Sequence, residues 1–267
     1  MAPLCLPAQS VPASAPPARL GSTVFQWEDL APRPTGNGVR RDVTDGPTAT
    51  LGRFESHVTT LNAGLMSHPP HQHPQEELII LRDGTLDVTI DGVTRRTGPG
   101  SLFFFAANDF HHVTNVGDTP ATYFVFNFAT AATRTLAGKS AAGLAAPGKL
   151  GSTVFDWRKL EAKPTKTGER RPVVDSPTTT LANFACHVTT LQPGVAAHAA
   201  HRHPDEEIVL VREGTLEATI NGVTTRAGAG SILFYASNDG HGMRNAGGTT
   251  ASYYVIRVVT DATPKPL

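Results

Sequence analysis

Two histidines, a glutamate and a distant third histidine occur twice in this chain at one spacing. They are His71-x-His73, Glu77 and His111, and then His201-x-His203, Glu207 and His241. Three imidazoles and a carboxylate suit a divalent transition metal, with Mn, Fe, Ni, Zn and Cu all compatible. Two histidines at i and i+2 on a strand point to one face, so both rings can reach one ion. The carboxylate follows within one further turn of chain, and a donor from a distant strand is what a closed barrel provides, because its interior faces converge. One ion per half is expected. An octahedral ion with four protein donors keeps two adjacent positions open, where a bidentate oxygen ligand such as an enolate, an α-hydroxy acid or a catecholate can bind and be polarised.

Other residues near these sets are read differently. His68 and His198 precede each His-x-His by three residues and read as solvated loop residues, with a place at a pocket mouth as the alternative. Glu76 and Glu206 alternate with the ligand glutamates and are expected to face outward. His57 and His187, on an upstream strand, read as core or rim residues rather than further ligands, and Phe103 to Phe105 and Tyr235 as barrel packing. His112 has Gly242 as its counterpart, which argues against a shared role. No general acid or base stands out beside the open positions, so no catalytic residue is assigned from sequence.

The duplication of the metal set belongs to a longer repeat. GSTVFQWEDL at Gly21 returns as GSTVFDWRKL at Gly151, and the offset of 130 residues then holds without a gap, with about half of the paired positions identical. A period this long matches one small domain rather than a solenoid unit. The expected division is a leader over 1–20, a first domain over 21–132, a linker over 133–150 and a second domain over 151–262. The linker is rich in Ala, Gly, Ser and Lys, the composition of a mobile connector, with room for one short helix.

The elements that must carry the ligands are strands. Asp91-Gly92 between Val88-Thr89-Ile90 and Val93-Thr94 predicts a two-residue hairpin, and Asn221-Gly222 does the same in the second copy. Leu78 to Leu81, Leu102 to Phe105 and Tyr123 to Phe128 are apolar runs long enough for buried strands and too short for helices. A helix is expected only near Trp27 to Leu30. Each half therefore reads as an all-β sandwich or barrel.

This arrangement resembles the cupin superfamily, over each half from about Thr50 or Thr180 to its last strand. The family's first motif is matched by Gly64, His71, His73, Glu77 and Gly84, and by Gly194, His201, His203, Glu207 and Gly214. Its second motif is matched by Gly100, Ala106, Asn108, His111 and Asn115, and by Gly230, Ala236, Asn238, His241 and Asn245. Alanine stands where the family has proline, and Asn108 and Asn238 where it has glycine. Asparagine tolerates the left-handed conformation, so the turn is expected to survive. The resemblance implies two tandem jelly-roll barrels (double-stranded β-helices), each with a three-His, one-Glu metal site.

Composition narrows the partners. Lys plus Arg and Asp plus Glu are both 23, so no basic field collects phosphates and nucleic acid is not expected as a partner. No apolar run reaches the length of a membrane span. Cys5 and Cys186 suggest neither a disulfide framework nor a CxxC site. The leader reads as a Pro/Ala-rich disordered segment or the remnant of an export signal, which leaves cytoplasm and periplasm both open. The two halves should mimic a dimer within one chain, with further homo-oligomerisation open.

Two classes of function remain, beside a redundant duplication in which the halves mimic a dimer and one site is structural. One is a metalloenzyme acting on a small oxygenated organic molecule, with dioxygenase chemistry placed first and decarboxylase or isomerase chemistry behind it. The other is a metal-dependent module that binds a small molecule, a carbohydrate for example, without turnover. The discriminating feature is a general acid or base at the open positions.

Overall fold

The computed structural model describes residues 18–140 and 146–265. Most of the expected leader, with Cys5, and the middle of the expected linker lie outside the described residues.

Ten strands build each half. The first half contributes β1 (Thr23–Phe25), β2 (Arg33–Thr35), β3 (Gly38–Gly46), β4 (Arg53–Leu61), β5 (Glu76–Asp83), β6 (Leu86–Ile90), β7 (Val93–Thr97), β8 (Leu102–Phe105), β9 (His111–Asn115) and β10 (Ala121–Ala129). The second half repeats them as β11 (Thr153–Phe155), β12 (Lys163–Thr165), β13 (Gly168–Ser176), β14 (Asn183–Leu191), β15 (Glu206–Glu213), β16 (Thr215–Ile220), β17 (Val223–Gly228), β18 (Ile232–Tyr235), β19 (His241–Asn245) and β20 (Ala251–Val259). A helical turn at Trp27–Asp29 meets the expectation there and recurs at Trp157–Lys159; a five-residue helix, α1 (Ala131–Thr135), opens the connector.

Each barrel is a seven-stranded sheet facing a three-stranded one. The large sheets run β11-β8-β5-β10-β4-β3-β2 and β1-β18-β15-β20-β14-β13-β12, and the small ones β7-β6-β9 and β17-β16-β19. All strand pairs are antiparallel, as expected of jelly rolls. The opening strands are exchanged. Thr23 to Phe25 pair with Phe234 to Ile232 in the second barrel, and Thr153 to Phe155 pair with Phe104 to Leu102 in the first. The exchange covers two sheet edges that would otherwise leave backbone groups unpaired.

The apolar runs divide their side chains between two cores. In β8, Phe103 and Phe105 fill the first barrel's interior, whereas Leu102 and Phe104 enter a layer shared by both barrels. That layer stacks Phe54 on Phe234 at 5.6 Å and Phe104 against Phe184 at 5.0 Å. Burial on both faces is why β5 and β8 read as continuous hydrophobic runs instead of alternating ones. Each fully buried Phe contributes roughly 1.5–3 kcal/mol, so the shared layer binds the halves into one unit. The Asp91-Gly92 and Asn221-Gly222 turns have the positive φ values their hairpins need.

Glu76 and Glu206 correct the outward expectation. They do point away from their own barrel interiors, as alternation requires, but that side is the interface and not solvent. Glu76 is fully buried and accepts hydrogen bonds from the Thr178 and Thr180 hydroxyls at 2.5 and 2.6 Å and from the Thr179 backbone N–H at 2.9 Å. Glu206 accepts from the Thr48 hydroxyl at 2.7 Å and the Thr50 N–H at 3.2 Å. Burial raises the pKa of both carboxyls against the pull of these donors.

Candidate metal centres

His71 and His73 were expected on a strand, and they lie instead in the segment between β4 and β5. Pro74 follows them and has no N–H to extend a ladder. Only His71 keeps a strand-like contact, an isolated bridge in which its N–H donates to the His111 carbonyl at 3.2 Å and receives the reverse bond at 3.0 Å. His201 and His241 repeat it at 2.9 and 2.8 Å. Asn108 and Asn238 take φ of 64° and 63°, so the turns leading to His111 and His241 survive without glycine.

In each barrel the histidines converge. The donor atoms of His71, His73 and His111 lie within 4.8 Å of one another, as do those of His201, His203 and His241, and each set can hold a metal ion. Glu77 borders the first set, with Oε2 3.6 Å from His73 Nε2 and Oε1 3.9 Å from His111 Nε2. Glu207 Oε2 lies 3.5 Å from His203 Nε2.

The hydrogen bonds behind the rings orient them for a cation. The Nδ1 atoms of His73 and His111 contact the carbonyls of Gln75 and Asp109, each at 2.9 Å; those of His203 and His241 contact the carbonyls of Asp205 and Asp239 at 2.9 and 3.0 Å. A carbonyl only accepts, so Nδ1 carries the hydrogen and each Nε2 keeps a lone pair. Among the described residues, Nε2 of His111, His203 and His241 is buried with no hydrogen-bond partner. Leaving such an acceptor unpaired costs about 1–3 kcal/mol, and one metal ion in each barrel would satisfy them. Phe105 and Tyr235 pack flat on His111 and His241 at 4.1 and 4.2 Å, so the residues read as packing also fix ligand rings.

Electrostatics separate the roles within each set. Burial, followed by the neighbouring imidazoles, lowers the pKa of His71 to about 4. Burial raises that of Glu77, but the adjacent His73 and His111 outweigh it and bring the carboxyl down to about 2. Burial depresses His203, and Asp205 and Glu207 more than reverse this, raising it to about 9.

A cavity of about 200 Å³ adjoins the first set, with His57, Arg40, Tyr123 and His68 among its walls. One of about 280 Å³ adjoins the second, with His187, Arg170, Tyr253 and His198 in the same places. His68 and His198 are exposed and line these cavities, standing edge-on to His71 and His201 at 4.1 and 4.4 Å. His57 and His187 stand in the walls, outside the converging sets.

Sequence reasoning missed the side chains behind His57. Glu55 Oε1 accepts from His57 Nδ1 at 2.8 Å and from Arg40 Nη2 at 2.8 Å, and Oε2 accepts from Asn127 at 2.7 Å. Burial pushes the Glu55 pKa up, and these donors, His57 first, hold it below its usual value. The second barrel has Ala185 for Glu55 and Arg257 for Asn127. Its extra carboxylate is Asp205, which accepts from Arg257 Nε at 2.5 Å and lies 3.1 Å from His203 Nδ1. The signal was available: Arg40, His57 and Tyr123 all return 130 residues later, while Glu55 does not.

The cupin-domain family matches the chain twice, over residues 57–127 and 187–257, and the chain belongs to that family as a bicupin. Among solved structures, a Lactobacillus farciminis oxalate decarboxylase in complex with formate superposes with a TM-score of 0.68 at 16% identity, over 92% of this chain and 88% of that one. A Bacillus subtilis oxalate decarboxylase, described with Mn(II) centres, gives 0.66 at 16% identity over 94% and 80%. These likenesses establish the fold. No curated protein sequence matches the chain.

Proposed function

We propose that this protein is a metal-dependent enzyme performing acid–base chemistry, of decarboxylase or isomerase type, on a small oxygenated acid in the first barrel. His71, His73, His111 and Glu77 would hold the divalent metal there, and His201, His203, His241 and Glu207 a second. A bound metal supplies Lewis-acid polarisation of substrate oxygens.

One observation carries the reading: His57, with Glu55 behind it, stands in the wall of the cavity that Glu77 and His111 also line. The Glu55 carboxylate takes the Nδ1 hydrogen, leaving the Nε2 lone pair as a base. His57 then accepts a proton from a substrate hydroxyl or α-carbon, Glu55 stabilises the imidazolium, and the imidazolium, whose N–H exchanges with solvent, returns a proton to the carbon that needs it. Oxygenation requires no such pair, nor does binding without turnover. The oxalate decarboxylases named above share the fold, and their named reaction is of the class proposed.

The test uses the full chain loaded with Mn and a panel of small hydroxy- and keto-acids that includes oxalate. Carbon dioxide release, solvent deuterium incorporation and dioxygen uptake are followed together. Carbon dioxide or deuterium exchange without net dioxygen consumption, reduced about 100-fold in His57→Gln, is the expected result. Stoichiometric dioxygen uptake unaffected by His57→Gln, or no turnover of any panel member, would overturn the reading.

A further inference from the structure

The two cavities differ in charge, and the difference lies in residues that the repeat did not keep. On β3, Arg40 is held by two carboxylates: its Nε donates to Asp42 at 2.5 Å and its Nη2 to Glu55 at 2.8 Å. The second barrel keeps this arginine as Arg170 but has Pro172 for Asp42 and Ala185 for Glu55. Among the described residues Arg170 has no carboxylate partner, and Glu169 beside it is turned to Arg171 at 4.0 Å. Arg170 is exposed and lines the cavity that His201, His203 and Glu207 also line. Its charge acts on the neighbouring strand β14: burial first, and Arg170 next, lower the pKa of His187 to about 4.

In the first barrel Arg40, which lines the cavity with Glu77, is held by Glu55 and by Asp42, and Asp42 is shared with Arg33 at 3.3 Å. The second sets Arg170 and Arg257 against Asp205 and Glu207. Arg257 is engaged through Nε by Asp205, whereas Arg170 has no carboxylate partner among the described residues, so the second cavity holds an arginine whose charge is not offset as that of Arg40 is. A planar guanidinium without a carboxylate partner, in the wall of a cavity whose histidines would hold a divalent metal, matches a carboxylate that could bind both. The second barrel also lacks the His–Glu pair of the first: Ala185 stands where Glu55 would be, and among the described residues no carboxylate bonds His187.

We propose that the second barrel is a binding site for a small carboxylate anion, held between Arg170 and the metal of that barrel, and separate from the acid–base site of the first. The inference shares with the proposed function only the holding of a metal by the histidine set. The anion binds there without proton transfer, so occupancy of the second barrel is an equilibrium independent of turnover in the first.

Calorimetric titration of malonate into the full chain loaded with zinc tests this without reference to activity. One malonate per chain is expected, at least ten-fold tighter than any second equivalent. Arg170→Gln should weaken it ten-fold or more, and Arg170→Lys, which keeps charge but not the fork, by less. Restoring the missing partners with the pair Pro172→Asp and Ala185→Glu should weaken it as Arg170→Gln does. Because Pro172 lies in a strand, Ala185→Glu alone serves as the second variant, and intact unfolding transitions confirm the fold of each. Two equal equivalents, or affinity unchanged in both Arg170→Gln and Ala185→Glu, would overturn the proposal. Absence of turnover on every acid would sink the enzymatic reading and leave this one standing.

Discussion

The Ser152 hydroxyl donates to Asp109 Oδ2 at 2.5 Å, and Asp109 is the residue whose carbonyl accepts from His111 Nδ1. Ser152 belongs to the second half and His111 to the first. Ser152 Oγ also accepts from the Ala106 N–H at 2.8 Å, so the turn before His111 is tied down by the exchanged segment. Ser22 makes the same pair of bonds to Asp239 and Ala236 in the other barrel. Each metal centre is thus braced by the half of the chain to which it does not belong.

Ser152→Ala should lower metal affinity in the first barrel about ten-fold and leave the second unchanged, since residues behind the ligands typically contribute 10–100-fold. Ser22→Ala should give the mirror result. Competition with a chromophoric chelator, read barrel by barrel in a background lacking the other site, measures both. Equal losses in the two barrels would mean the brace is not local.

His73→Ala and His203→Ala should each remove about one equivalent of metal while cooperative unfolding persists, because the aromatic cores dominate stability. Of the two centres the second should be stripped last. Asp205 stands 3.1 Å from His203 Nδ1 and makes that imidazole a more basic ligand, whereas Gln75 offers His73 only its carbonyl. Asp205→Asn should erase the difference in stepwise chelation followed by elemental analysis.

Glu76 gathers four hydrogen bonds from the second half inside a buried interface. Glu76→Ala leaves the Thr178 and Thr180 hydroxyls buried without that acceptor and should cost about 2–4 kcal/mol of unfolding free energy. Glu76→Gln, which keeps an oxygen, should cost less. Denaturant midpoints on the metal-free chain measure both, and a loss under about 0.5 kcal/mol for the alanine variant would show that the latch carries little.

The pH dependence of stability follows from His187. Its folded pKa of about 4 lies below the ordinary value of 6.5, so between those values the unfolded chain binds a proton that the folded chain does not. The His187 contribution is then complete above about 6.5 and is lost as pH drops through that window. In metal-free protein His71 adds to the same slope, its pKa also being about 4. His187→Gln should flatten the decline between pH 6.5 and 4 in urea titrations, and a slope unchanged by the substitution would assign the decline elsewhere.

Much of this was legible in the sequence because it depends on local spacing. The Asp91-Gly92 hairpin needs only two residues with positive φ, and the convergence of His71, His73 and His111 follows once a barrel closes. What was not legible depends on which surface meets which. Alternation along β5 placed Glu76 opposite Glu77, but nothing near Glu76 says that Thr178 and Thr180 wait on that side. Likewise Glu55 and His57 share a strand face by simple parity, yet their role depends on Arg40 and Asn127 arriving from β3 and β10. The exchange of β1 and β11 was hidden for another reason: both segments are identical over GSTVF, so either fits either barrel and composition cannot choose.

The exchanged strands also impose a schedule on biosynthesis. A ribosome that has released everything through Ala129 has delivered ten strands of the first half, but the edge of β8 stays bare until Thr153 to Phe155 emerge. Thr23 likewise waits for Phe234, which is made only after most of the second half. Neither jelly roll can close before its sibling has begun, so the nascent chain commits to both together.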